Sequence, residues 1–294
     1  MRRRLLLALP ALIPALARAE PRLRVVATFS VLADIVRQIG GLHTDVTALV
    51  PPDGDVHAYE PRPSDLRTLL AAGLLVENGL GLEGWMQRLT GAAAFHGTTT
   101  IATTGVAPRT LRQDGGALAI DPHAWQDPRN GLIYAANIAA GLAAADPANA
   151  AAYRTTAEAY ATAIRQTDAW IEAQFAPIPT QSRRIITTHD AFGYYGARYG
   201  IEFLAAEGLS TEAEPSARAI AALVAQIKRE KVPAVFLENM TDPRLAEMLM
   251  RETGARLGGT VYSDALSPPG GPAATYLAMF RHNTALFADA MRSG

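Results

Sequence analysis

His57, His123, His189 and Asp264 are residues of the types that hold a divalent transition metal. Three imidazoles and one carboxylate form a borderline donor set, suited first to zinc. Each lies just past a segment that reads as a β-strand, within a short signature: VHAYEP (56–61), DPHAWQDP (121–128), TTHDAFGYYGARYG (187–200) and VYSDAL (261–266). The chain has six histidines in 294 residues, so three at the ends of apolar strands is an improbable scatter. The four positions are 66, 66 and 75 residues apart, so no local motif builds the site and the fold must assemble it.

The elements that would do so alternate. Leu23–Phe29, Asp45–Val50, Leu74–Glu77 and Thr98–Thr103 read as strands, with helical spacing over Val31–Ile39, after a Ser64 cap, and over Leu82–Ala93. That order predicts parallel βαβ units. Residues 146–176 break the rhythm. Tyr153, Ala157, Tyr160, Ile164, Ile171 and Phe175 form one apolar stripe behind an Asp146-Pro147 start, which predicts a helix of about 30 residues. Alternation then resumes, with strands at Arg183–Thr188, Ile201–Ala205, Ala234–Leu237 and Gly259–Tyr262. Helices are expected over 191–199, 216–231, 243–253 (capped by Asp242) and 273–291. The fold class is α/β: two similar parallel-sheet lobes, 20–145 and 178–294, joined by one long rigid helix, 146–177. In such sheets ligands bind beyond the carboxyl ends of the strands, so the donors are expected in the cleft between the lobes, two from each.

Charged residues make up 19% and no run of like charge marks a nucleic-acid partner. Residues 1–19 read as a cleaved signal peptide: three arginines, an apolar stretch from Leu5 to Leu16, and Ala17-Arg18-Ala19 as the cleavage site. Without them the chain carries 23 basic against 28 acidic side chains. There is no cysteine, which removes disulfides, thiolate ligands and a lipid-bearing cysteine. A soluble periplasmic monomer is the expectation.

A zinc hydrolase is the competing chemistry, with Glu60 or Asp190 as base. Four protein donors close the coordination shell, however, and neither H-E-x-x-H nor a glycine-rich phosphate loop occurs. Glu60 and Asp190 are read instead as orienting imidazoles or capping helices, and Glu238 as a support for the second-lobe donors. Trp125 and Tyr59 are read as pocket walls, Trp85 as core, and His43, His96 and His282 as bystanders.

With these residues in place, the mature chain resembles the zinc and manganese receptors of bacterial ABC importers, solute-binding protein family 9. The resemblance rests on VVATFSVLADIVRQIGG, LVPPDGDVHAYEPRPSD, ENGLGLEGWMQRL, DPHAWQDPRN, THDAFGYYGARYG, STEAEPSA, VFLEN and VYSDAL. It implies a metal held between the lobes by His57, His123, His189 and Asp264, with Zn²⁺ as cargo and Mn²⁺ or Fe²⁺ as the alternative. It also implies docking on a membrane permease driven by a cytoplasmic ATPase. Manganese-type members tend to carry a carboxylate at the third position, where this chain has His189; a third imidazole favours zinc. Many zinc receptors carry a His-rich acidic loop, but residues 104–120 hold no histidine and one acid, so metal comes from solution or from a donating partner.

Overall fold

A computed structural model describes residues 21–112, 118–205, 208–209, 211, 216–230, 232 and 234–292. The segment read as a signal peptide and most of STEAEPSA lie outside the described residues.

The first lobe runs β1 (Leu23–Phe29), α1 (Ser30–Gly40), β2 (Thr44–Val50), α2 (Pro63–Leu70), β3 (Leu74–Glu77), α3 (Met86–Ala93) and β4 (Thr98–Ile101). Its four parallel strands lie in the order β2-β1-β3-β4. β1 is buried from Val25 to Phe29, a near-continuous apolar run as expected for a strand covered on both faces. A small antiparallel hairpin, β5 (Thr110–Arg112) with β6 (Leu118–Ile120), follows. Next come α4 (Pro128–Ala145) and α5 (Ala150–Phe175).

The second lobe runs β7 (Arg184–Thr187), α6 (Gly193–Tyr199), β8 (Glu202–Ala205), α7 (Ala217–Glu230), β9 (Ala234–Glu238), α8 (Pro243–Thr253), β10 (Arg256–Val261) and α9 (Tyr276–Arg292). Its sheet order is β8-β7-β9-β10, again all parallel. This repeats the first sheet strand for strand, so the two lobes are copies of one topology joined through α5. In each sheet the chain reverses its direction of growth between the two central strands, and that switch point is where open α/β sheets take ligands.

The long helix is shorter than the expected span 146–176. Pro147–Asn149 form a tight 3₁₀ turn, with the Asp146 carboxylate accepting from Asn149 Nδ2 (2.8 Å) and Tyr153 OH (2.7 Å). The α-helix then covers 26 residues, about 39 Å at 1.5 Å per residue. Its buried stripe is Tyr153, Tyr160, Ile164, Ile171 and Phe175, as expected, with Thr167 added and Ala157 only half-buried.

Other boundaries moved as well; β4 ends at Ile101, α6 starts at Gly193 and α9 at Tyr276, each two or three residues inside the expected bound. Pro63 occupies the first turn of α2, so Arg62 rather than Ser64 stands at its N-cap. Leu82–Trp85 stay outside α3 because Gly79, Leu80 and Gly81 turn the chain at positive φ (85°, 56° and 84°). β10 starts at Arg256, ahead of a register shift between Leu257 and Gly259. The Asp242 cap of α8 is as expected: its carboxylate accepts from Arg244 N (2.9 Å), and Gly254 closes the helix at φ 77°.

One apolar core extends through both lobes and α5, from Val25, Phe29 and Leu75 through Trp125, Tyr134 and Ile164 to Phe192, Phe236 and Phe287. A smaller one, around Val235, Leu223 and Leu249, lies under α7 and α8. Among the described residues no helix is long and apolar enough to cross a membrane.

Candidate metal site

The structure brings together all four residues singled out by sequence. His57 follows β2, His123 follows the hairpin, His189 follows β7 and Asp264 follows β10. One ligand atom from each lies within 4.8 Å of the other three. Among the described residues no other cluster of potential ligands of this kind forms, so His43, His96 and His282 stand apart.

Asp264 sits among three imidazoles, each presenting Nε2. Its Oδ2 is 3.0 Å from His57 and 3.2 Å from His189, and its Oδ1 is 3.7 Å from His123. His57 and His123 Nε2 are 3.2 Å apart. Zinc–nitrogen bonds of about 2.0–2.1 Å put neighbouring donors of a tetrahedron about 3.3 Å apart, so a metal ion fits the spacing. The fit shows in the orphaned atoms as well: both Asp264 oxygens and His189 Nε2 are buried with no hydrogen-bond partner. Buried acceptors are rarely left so without an ion, a water or a function.

Two carboxylates aim the imidazoles. Asp121 Oδ1 accepts from His123 Nδ1 (2.9 Å) and from His123 N (3.0 Å). With the proton on Nδ1, the Nε2 lone pair faces the cluster. Glu238 Oε2 lies 2.7 Å from His189 Nδ1, while its Oε1 accepts from Thr188 N (3.0 Å), Thr188 Oγ1 (2.6 Å) and His189 N (2.9 Å). Since His189 follows β7 and Glu238 ends β9, this pair spans the switch point of the second sheet. Among the described residues no carboxylate comes within ion-pair distance of His57 Nδ1. That loop is held instead by Asp55 Oδ1, which accepts from His57 N (2.8 Å), and by Trp85 Nε1 on Val56 O (3.0 Å).

The electrostatics are those of a cation site. Burial alone would lower the His123 imidazole, but Asp264 and Asp121 outweigh it and carry it up to about 9. His189 goes the same way: burial lowers it, and Glu238 and Asp264 raise it well above the ordinary histidine value. Burial would raise Asp264, yet His123 and His189 hold it well below the usual carboxylate range. Three buried carboxylates around three imidazoles make a pocket that needs positive charge, supplied by protons or by a divalent cation.

Glu60 and Asp190 do not orient imidazoles. Glu60 is exposed. Asp190 is half-buried in a cavity of 840 Å³ shared with Arg109 and Gly193. Asp121 was missed as an orienting group, although it lies inside DPHAWQDP; a carboxylate two residues before a turn histidine was the available signal. Gly193 was missed too. It opens α6 so close to Asp121 that a Cβ there would come 2.7 Å from Asp121 Oδ2. Trp125 is a wall, fully buried with its ring 5.3 Å from that of His123. Tyr59 packs on Trp85 (5.1 Å) and donates to Asp65, away from the donors.

Residues 25–290 match the family model described as zinc-uptake complex component A, periplasmic. The manganese-binding lipoprotein MntA of Halalkalibacterium halodurans is 33% identical over 269 residues, covering 92% of this chain and 88% of that protein. The iron-binding protein YfeA of Yersinia pestis is 31% identical over 258 residues, 88% and 83% of the respective chains. The periplasmic zinc-binding protein TroA of Treponema pallidum superimposes with a TM-score of 0.87 at 27% identity, covering 92% of this chain and 99% of that one. The chain therefore belongs to the family of periplasmic metal-binding receptors described by zinc-uptake complex component A.

Proposed function

We propose that this protein is the periplasmic receptor of an ABC importer, capturing Zn²⁺ between its lobes with His57, His123, His189 and Asp264 and delivering it to the membrane permease. The observation that carries the reading is the convergence of four buried donors, three of them imidazole Nε2 atoms. Two of the imidazoles are backed by carboxylates, His123 by Asp121 and His189 by Glu238. Four protein donors leave no open position for a reacting water, which favours capture over hydrolysis. Residues 1–19 act as the export signal, 20–145 and 178–294 as the two capturing lobes and 146–177 as their connection. An ATPase on the far side of the permease would drive transport, and the receptor works as a monomer.

Binding requires neutral imidazoles on the metal-facing side, so loading expels the protons that the empty site holds. Delivery requires the lobes to part. Neither half-site, His57 with His123 or His189 with Asp264, holds a metal as tightly as the four together, so separation lowers affinity steeply.

Manganese or iron is the second reading. It is favoured by the names of the relatives at 33% and 31% identity and by Asp264, whose two oxygens both face the cluster and could raise the coordination number. Chelator competition on the mature apo protein at neutral pH separates the two. Nanomolar or tighter zinc with manganese weaker by several orders supports the zinc receptor. Because zinc out-binds manganese at most such sites, rescue of growth by each metal completes the test. Comparable tight binding of both moves the cargo to manganese, and no tight binding of either removes the four-residue site.

A further inference from the structure

The lobes are fastened to each other on two sides of the donor cluster, and the two fastenings differ in kind. On the deep side every bond is buried. Trp125 Nε1 and Gln126 Nε2 donate to Ser263 O (2.9 and 2.7 Å), Tyr276 OH donates to Trp125 O, and Leu266 N donates to Ser30 Oγ (2.9 Å). On the other side, at the loop 51–57, the side-chain bonds are exposed or only part-buried. Asn239 Nδ2 donates to Asp53 Oδ1 (2.7 Å), Asp53 N to Leu266 O (3.1 Å) and Thr211 Oγ1 to Asp55 Oδ2 (2.6 Å). Asp53 takes the left-handed conformation (φ 58°), which turns its N–H and its carboxylate toward the second lobe together.

His57 is the donor on this side. It is 7% exposed, whereas His123, His189 and Asp264 are 0% exposed. Its loop lacks the carboxylate that anchors the other two imidazoles. Asp55 binds the loop in two directions at once: Oδ1 holds the backbone of His57 (2.8 Å), and Oδ2 reaches across to Thr211. Solvent-exposed hydrogen bonds yield to water at little cost, while buried ones leave unpaired groups behind when broken.

We infer that the loop 51–57 is the gate of the site, with the deep side as hinge: metal arrives and leaves past His57, and Asp53 and Asp55 latch the closed state onto Asn239 and Thr211. This deepens the proposed function and rests on it. The latch residues are positioning residues, not metal donors. Each bond of the latch lies within two residues of the site machinery, at Asp55 before His57, Leu266 after Asp264 and Asn239 after Glu238, so releasing the latch frees the donors on both lobes.

The test is the rate at which zinc-loaded protein gives Zn²⁺ to a chromogenic chelator in stopped flow. Asn239→Ala and Thr211→Val leave the four donors in place. Each should speed release by about three- to tenfold, the scale of one exposed or part-buried hydrogen bond to a carboxylate. The double variant should be faster than either. The chain has no cysteine, so Asp53→Cys with Asn239→Cys can form only one intramolecular link, by oxidation or a short thiol crosslinker. Linked after loading, the protein should release zinc at least tenfold more slowly, and reducing a disulfide link should restore the rate. Unchanged release in the single and double variants, or wild-type release from the linked protein, overturns the gate. If the wild type binds zinc tightly while these rates stay put, only the gate falls; if it binds none, the metal reading falls with it.

Discussion

The ends of β3 and β9 invite comparison, because the two strands hold the same place in the two sheets and finish on the same pair of residues. β3 ends at Glu77, followed by Asn78; β9 ends at Glu238, followed by Asn239. The roles are exchanged. In the second lobe the glutamate turns inward, 2% exposed, and backs His189, while the asparagine reaches the rim and grips Asp53. In the first lobe the asparagine is the buried partner. Asn78 Nδ2 donates to Pro122 O (3.0 Å), and its Oδ1 accepts from Tyr134 OH, so it braces the turn that carries His123. Glu77 faces a small cavity shared with Glu83 and touches no donor. A strand end at a switch point thus offers two positions for supporting a site, and the neighbouring loop decides which is used.

Four measurements would break or sharpen this contrast. His189→Ala sets the scale, removing one of the four proposed donors, and should weaken zinc by about three orders of magnitude or more in chelator competition. An unchanged affinity would end the assignment. Glu238→Gln keeps the shape but loses the charge behind His189, and should cost about 10–100-fold in affinity. An effect no larger than that of Glu77→Gln would mean that the two glutamates are equivalent after all. Asn78→Ala should act through folding. It strands the buried Tyr134 hydroxyl and leaves the Pro122 carbonyl with Ala124 N alone (2.9 Å), for a loss of about 1–3 kcal/mol in urea unfolding of the apo protein, with zinc affinity reduced less than by Glu238→Gln.

Glu77→Gln should be the mildest. Burial, and then the charge of Glu83, push the Glu77 carboxyl up to about 7. A carboxyl raised on folding favours the native state at low pH and loses that advantage as pH climbs from its ordinary value through about 7. The glutamine variant should therefore melt slightly higher than wild type at pH 8 and no higher at pH 5. A shift confined to pH 5 would reverse the sign and sink the explanation.

The site was legible because its chemistry is written in rare residues. Six histidines are few enough that three after apolar strands stand out, and Asp264 follows a strand in the same way. What aims the donors was less legible, because Asp121 and Glu238 are common acids whose role depends on where other loops fall; Glu238 was readable only from its place at a strand end. The α/β order and the second topology repeat were visible in strand–helix alternation. α4 was not marked out, since a helix so rich in alanine shows little periodic contrast although Tyr134, Ile138 and Leu142 line its buried face. The antiparallel pairing ahead of His123 was not read either: β5 and β6 are three residues each, with Leu118 and Ile120 exposed, too short to show which strand partners which.

The apolar core described above passes through both lobes and α5 without a break. Neither lobe can then melt and leave its neighbour intact, so heat should meet one cooperative transition. Cargo that favours the native chain by mass action protects the whole of it, not only the cleft. Proteases that sample the transiently opened population would remove empty copies ahead of filled ones. Metal supply would in this way set the lifetime of the receptor as well as its occupancy.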